Sequence, residues 1–239
     1  MDPRTLRVWR RWLGEAFERF CLVPTCPGCG RRGLGEVMEL CLPCGAELWG
    51  YEEIAAKPPG ELPWVRAVWS YRGTGGRLVR RAKFARDPLA LAFLARGMLR
   101  LLKAGEMPGG RPRGPWLVVP VPLSARKRRR RGFNQAQDLA QRVAERMGWE
   151  LGTWVLRRVR DTTALGRVRR EEREALLLGA FELGKGQRRR VLGRRILLVD
   201  DVVTTGATMR ACASVLLDGG ASRVLGLASC AAGGESGGK

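Results

Sequence analysis

The stretch "ILLVDDVVTTGATM" at residues 196–209 restricts the possible folds more than any other part of the chain. Four continuous apolar residues predict a strand buried on both faces, as in a parallel sheet covered by helices. The strand "RRILLVD" then meets paired carboxylates and a turn of hydroxyl residues and glycine. In an open α/β sheet, ligands bind at the carboxyl ends of the strands, where the next helix presents unpaired N–H groups and the positive end of its dipole. Gly206 lets the backbone approach an anion closely, and the hydroxyls of Thr204, Thr205 and Thr208 add donors for a phosphate. Asp200 and Asp201 repel phosphate but accept hydrogen bonds from sugar hydroxyls, so a sugar phosphate suits both halves. The competing use, a cap and turn before a helix, explains one aspartate and leaves the second without a role.

The chain before this stretch alternates in the same way. "RAVWSY" reads as a short strand, and Asp87-Pro88 reads as an N-cap with proline at the first helical position of a helix stopped at Gly105. "WLVVPVP" is a buried strand, "FNQAQDLAQRVAERMG" is a helix with Phe133, Ala136, Leu139, Ala140, Val143 and Met147 on one face, and "RVLGLASCA" is a strand. A helix is expected from about Thr208 to Asp218. Apolar strands alternating with helices imply a parallel α/β sheet flanked by helices, placed in a domain at 64–239.

A second module precedes it. Cys26 and Cys29 in "CPGC" and Cys41 and Cys44 in "CLPC" form two C-x-x-C pairs separated by 11 residues. Each pair offers two thiolates from one tight turn, and four sulfurs complete a closed tetrahedral shell for structural zinc, with Cys21 as an alternative ligand. Leu6, Trp9, Leu13, Phe17 and Phe20 recur at helical spacing and predict an amphipathic helix ahead of the cysteines. Helix and zinc ribbon together occupy 1–50, and "YEEIAAKPPGELP", rich in proline and charge, is a linker at 51–63. Cys212 and Cys230 sit in apolar runs as core residues.

Charge narrows the partners. Lys and Arg number 44 against 23 acidic residues, a formal charge of +21, which points to polyanions such as nucleic acid or phosphorylated ligands. Arg126 to Arg131 place six cations beyond the strand that Pro120 and Pro122 end, open to a ligand's phosphates, to nucleic acid or to plain solvation. Gly132 permits a turn there, and Asn134 caps the next helix or touches the ligand. The chain has no histidine, which excludes imidazole as base or metal ligand. The N-terminus lacks the apolar core of a secretory signal, and no stretch approaches the roughly 20 apolar residues of a membrane span. Cytoplasmic residence, without disulfides, is the expectation.

The stretch 196–209 resembles the PRPP-binding motif of the type I phosphoribosyltransferases. That resemblance implies that Asp200 and Asp201 hold the ribose hydroxyls and that Val203, Thr204, Thr205, Gly206, Ala207 and Thr208 cradle the 5-phosphate, with magnesium bridging ribose and pyrophosphate. The four-cysteine module, "KFARDPLA", "VVPVPLSARKRRRRGFNQAQDLA" and "DDVVTTGAT" follow one another as in the ComF family of competence proteins, which the chain resembles over nearly its whole length. The family resemblance implies a type I phosphoribosyltransferase-like domain behind a small zinc ribbon, a role in uptake of single-stranded DNA, and a ComFA-type DNA translocase as partner. It assigns the strand "VVPVP" and the loop after it to the pyrophosphate side, where Lys83, Arg126, Arg131, Gly132 and Asn134 are the candidates, with Arg128, Arg129 and Arg130 as candidates for nucleic acid. An active enzyme would displace pyrophosphate from C1 of PRPP by positioning and cationic stabilisation, with no covalent nucleophile, toward a base or amine acceptor. The chain departs from its relatives at "RDTTALGRVRREEREALLLGAF", where Asp161, Thr162, Gly179, Ala180 and Phe181 survive but the amide positions are apolar. In related transferases that loop closes over the site.

Overall fold

The apolar runs that read as buried strands lie side by side because each shields its neighbours' backbone while both faces stay dry. The computed structural model describes residues 25–31, 40–49, 62–161, 177 and 179–232. The expected helix from Leu6 to Phe20, Cys21, nearly all of the linker, and residues 162–176 of the departing loop lie outside the described residues.

In chain order the elements are α1 (Leu42–Trp49), β1 (Val65–Ser70), α2 (Gly73–Arg80), α3 (Pro88–Ala104), β2 (Leu117–Pro120), α4 (Ala125–Arg131) and α5 (Gln135–Met147). There follow β3 (Glu150–Leu151), β4 (Leu156–Arg158), β5 (Phe181–Leu183), α6 (Arg188–Val191), β6 (Arg195–Val203), α7 (Ala207–Asp218) and β7 (Arg223–Ala231). Five strands form one parallel sheet in the order β1-β7-β6-β2-β3, and β4 and β5 pair separately as an antiparallel hairpin.

Period-two alternation along β6 divides the core. Leu197 and Val199 pack with Leu94 and Met98 of α3 and with Leu139 and Val143 of α5. Ile196 and Leu198 face the other way, toward Met209, Cys212 and Leu216 of α7 and Phe181 of β5. Each such side chain, fully buried, stabilises the fold by about 1.5–3 kcal/mol. Gly97 of α3 lies against Trp69 of β1, where a Cβ would come within 2.0 Å of the indole, so only glycine lets this helix sit on the sheet.

The expected caps are in place. Asp87 accepts hydrogen bonds from the N–H groups of Leu89 and Ala90 at the start of α3, and Gly105 ends that helix in the left-handed region at φ 81°. Two elements differ from the reading of the sequence. The strand with the acid pair continues past Asp200 to Val203, because Val202 and Val203 pair with Cys230 and Ala231 of β7. The cationic run is a helix, α4, capped by Ser124 and stopped by Gly132, not a loop.

Candidate functional site

Because β6 runs through the acid pair, its two carboxylates leave opposite faces of the sheet. Asp201 continues the face of Leu197 and Val199, and its Oδ2 lies 2.9 Å from Lys83 Nζ. Asp200 continues the face of Ile196 and Leu198, and its carboxyl lies within electrostatic reach of Cys212 of α7 and Arg158 of β4. The Asp201 N–H donates to Asp200 Oδ1 at 2.8 Å. Burial pushes the Asp200 carboxyl up to about 8, reinforced by the Asp201 charge and opposed by Lys83. Without a ligand, Asp200 is thus a group that holds a proton at neutral pH.

The turn after β6 leads into α7 at Gly206, whose φ of 78° admits a side chain only with strain. A Cβ there would also meet Leu62 Cδ1 at 2.0 Å, so Leu62 holds the turn from outside. The Ala207 N–H points at Thr205 Oγ1 at 3.4 Å, and Arg210 Nη2 donates to the Thr205 carbonyl at 3.1 Å. Thr204 is exposed and Thr205 and Thr208 are half-buried, so three hydroxyls surround the N-terminus of a 12-residue helix.

Lys83 reaches Asp201 from a wide helical turn. After α2 the chain widens into one turn of π-helix at Arg81–Ala85, closed by Arg86 in the left-handed region at φ 50°. The Arg81 guanidinium pairs with the Asp87 carboxylate, the same group that caps α3. A single-turn π-helix next to a non-glycine residue at positive φ is local strain of the kind that functional sites retain. Gln135 Nε2 donates to the Lys83 carbonyl at 3.4 Å, and Arg131 Nη1 donates to Gln135 Oε1 at 3.3 Å, tying this turn to α4 and α5.

Helical periodicity splits the cationic run. Lys127 and Arg131, four residues apart, are half-buried, while Arg126, Arg128, Arg129 and Arg130 are exposed. Burial lowers the Lys127 pKa, and Arg158, Arg131 and Lys83 add to that fall while Asp161 opposes it. Arg131 spreads over the Phe84 ring with its Nε buried and without a partner in the protein. Lys83, Lys127, Arg131 and Arg158 therefore crowd positive charge beside the acid pair, an arrangement that a polyanion would relieve. Of the residues expected on the pyrophosphate side, Lys83 and Arg131 belong to this group and Arg126 stands on the solvent side of α4. Gly132 is the helix stop, and Asn134 caps α5 through the Ala136 N–H while donating to the Val121 carbonyl at 3.1 Å. The sequence marked Lys127 only as one of six cations in its run, and it did not mark Arg158 or Gln135. The spacing of Lys127 to Arg131 was a usable signal, but nothing local marks Arg158, which a distant hairpin delivers.

The second cluster lies at the other end of α2. The sulfurs of Cys26, Cys29, Cys41 and Cys44 all fall within 4.8 Å of one another, and Cys29 and Cys41 are 3.7 Å apart. A tetrahedral metal with metal–sulfur bonds near 2.3 Å needs sulfur–sulfur edges of about 3.8 Å, so the four thiols suit one metal ion. Burial alone would raise the Cys26 thiol, but N–H groups of Cys41, Cys29 and Gly28 bring it down to about 6, and burial pushes Cys44 up to about 12. Cys44 belongs to α1, and Arg77 Nη2 of α2 donates to its sulfur at 3.7 Å. Glu47 of α1 pairs with the same Arg77 and accepts from Thr74 Oγ1 at 2.8 Å.

The model of the phosphoribosyl transferase domain matches residues 129–238, the segment holding the acid pair, the turn after it and Arg158. DNA utilization protein YhgH of Salmonella typhi is 35% identical over 204 residues, covering 84% of this chain and 82% of that protein. The YhgH protein of Escherichia coli strain K12 is 33% identical, covering 83% and 80% respectively. Competence protein F of Haemophilus influenzae is 28% identical over 197 residues, covering 80% of this chain and 83% of its own. Among the described residues no helix is long and apolar enough to cross a membrane.

Proposed function

This chain belongs to the family of DNA utilization protein YhgH and competence protein F, the ComF family, and on that premise we propose that it serves DNA uptake through a domain that binds PRPP with magnesium. The observation that carries this reading is the joining of an acid pair and a glycine-threonine helix entry to four inward cations. Asp200 and Asp201 accept hydrogen bonds from the ribose hydroxyls, and the N–H groups and hydroxyls of Val203 to Thr208 hold the 5-phosphate. Lys83, Lys127, Arg131 and Arg158 face the pyrophosphate. Asp200 and Asp201 are the residues beside which magnesium bound with the ligand would supply neutralising positive charge. The four cysteines hold zinc as a closed structural site with no position for substrate. The exposed arginines Arg126, Arg128, Arg129 and Arg130 offer phosphate contacts to DNA in the cytoplasm, where a DNA translocase is the fitting partner.

The test is a calorimetric titration of PRPP with magnesium into the metal-loaded protein beside Asp201→Asn. Wild-type binding with at least a hundredfold loss in the variant supports the reading, whereas equal binding, or none by either protein, overturns it. One observation favours turnover as a second reading: Lys127 and Arg131 are drawn out of water on the leaving-group side, where they stabilise developing negative charge more than exposed cations would. Pyrophosphate release dependent on a nucleobase or amine supports it, and a silent panel of acceptors argues for binding alone.

A further inference from the structure

We propose that the cleft between α4, the start of α5 and β4 is a subsite for one base of single-stranded DNA, stacked on Trp154 with neighbouring phosphates on Arg128 and Arg157. This inference rests on the reading that the protein handles DNA, and it says where and how a strand is held.

The cleft has a volume of about 180 Å³, and Pro122, Leu123, Arg128, Gln137, Trp154 and Arg157 are among its walls. It opens at the carboxyl end of β2, beside the sugar-phosphate site, with which it shares Arg158; neither Asp200 nor Asp201 lines it. Among the described residues no acidic side chain lines it, while Arg128, Arg157 and Arg158 do. That charge pattern suits an extended phosphate chain, which the carboxylates of the neighbouring site would repel.

Trp154 is 63% exposed. Phe84 is the other aromatic ring left so open among the described residues, and it carries the Arg131 guanidinium. The backbone under Trp154 is fixed on both sides. Gly152 accepts from the Val155 N–H at 3.3 Å and donates to the Val118 carbonyl at 2.8 Å, and the Gly184 N–H donates to the Val155 carbonyl at 2.9 Å. Gly184 also lies so near that a Cβ on it would come within 2.3 Å of the Trp154 carbonyl oxygen. An indole held out on a rigid turn loses little entropy when a flat ring settles on it. The ring walls are apolar at Pro122 and Leu123, and Gln137 and Thr153 add polar groups for a base edge.

A single strand fits and a duplex does not, because stacking on an aromatic side chain needs an unstacked base face. Arg157 shares Glu182 at 3.5 Å in a pair about half exposed on each side, a weak contact that leaves guanidinium donors for a phosphate.

The experiment compares binding of an oligothymidylate and of an abasic strand of equal length to the full-length, metal-loaded protein across a salt series, with thymidine monophosphate as competitor. Trp154→Ala should weaken the oligothymidylate about tenfold, leave the abasic strand unchanged and keep the salt slope, while Trp154→Phe restores most of the affinity. Arg128→Ala should lower the salt slope by about one on both strands. If Trp154→Ala weakens both strands equally or neither, the stacking site is wrong while the DNA reading stands. If thymidine monophosphate competes as well as the oligomer, the cleft is a mononucleotide site and the inference falls. If the wild type binds no oligonucleotide even at low salt, the inference and the DNA reading fall together, independently of the PRPP titration.

Discussion

The four-cysteine cluster and the acid pair both depend on residues close in sequence, but closeness means opposite things in the two places. In a tight turn, side chains three positions apart converge, so Cys26 and Cys29 meet Cys41 and Cys44 within 4.8 Å of one another. On a strand, adjacent side chains diverge, so Asp200 and Asp201 leave β6 on opposite faces and find partners in different layers. The first site is almost complete within one short module. The second is assembled from the π-turn after α2, from α4, from β4 and from β6. One helix connects them: α2 offers Thr74 and Arg77 to Glu47 and Cys44 at one end and leads through the π-turn to Lys83 at the other.

Breaking the shell of the first site should have the largest effect. Cys41→Ser should abolish tight uptake of one metal per chain, measured by elemental analysis. The associated stability loss is about 4 kcal/mol if the metal is held at a thousand times its dissociation constant, or a melting temperature lower by about 10 °C. Next comes Lys83→Met, which strands the buried Asp201 carboxylate. It should cost about 3 kcal/mol of stability in denaturant titration and remove PRPP binding, with the cysteine site still metal-loaded. An unchanged midpoint would mean that Asp201 does not need its partner.

Asp200 provides a pH test. Its folded pKa of about 8 lies above the unfolded value of about 4, so the native state binds the extra proton and loses stability as pH rises between the two. Asp200→Asn has no such proton to lose. Its melting temperature should gain on the wild type as pH rises from 5 to 8, and parallel curves would refute the shift. The smallest effect concerns the bridge between the regions. A double-mutant cycle of Arg77→Ala and Glu47→Ala should give a coupling of about 0.5–1 kcal/mol in stability, since both groups are about a third exposed. If α2 transmits rigidity, PRPP affinity falls a fewfold in both variants while the metal stays bound. Unchanged affinity would show two independent sites.

The legibility of the molecule follows the range of the forces involved. The parallel sheet, the caps at Asp87 and Asn134, the stop at Gly105 and the four cysteines were readable because apolar periodicity, capping chemistry and turn spacing are local. α2 was not, since "GTGG" argues against a helix. Its glycines serve contact instead: a Cβ on Gly75 or Gly76 would come within about 2.2 Å of the carbonyl oxygens of Ser70 and Tyr71. The length of β6 was not readable either, because pairing with β7, not residue preference, carries it through the aspartates.

The sequence by itself determined the α/β class, the cysteine shell and the sequence of carboxylates, hydroxyls and glycine at the end of β6, because each needs no more than a few turns of chain to express. Tertiary structure alone decided which cations face the acids. Folding α4 as a helix turned Lys127 and Arg131 inward and four arginines out, and the β4–β5 hairpin brought Arg158 to Asp200 from more than forty positions away. Charge in a sequence has a sign and a count, but its direction in space is set by the backbone that carries it.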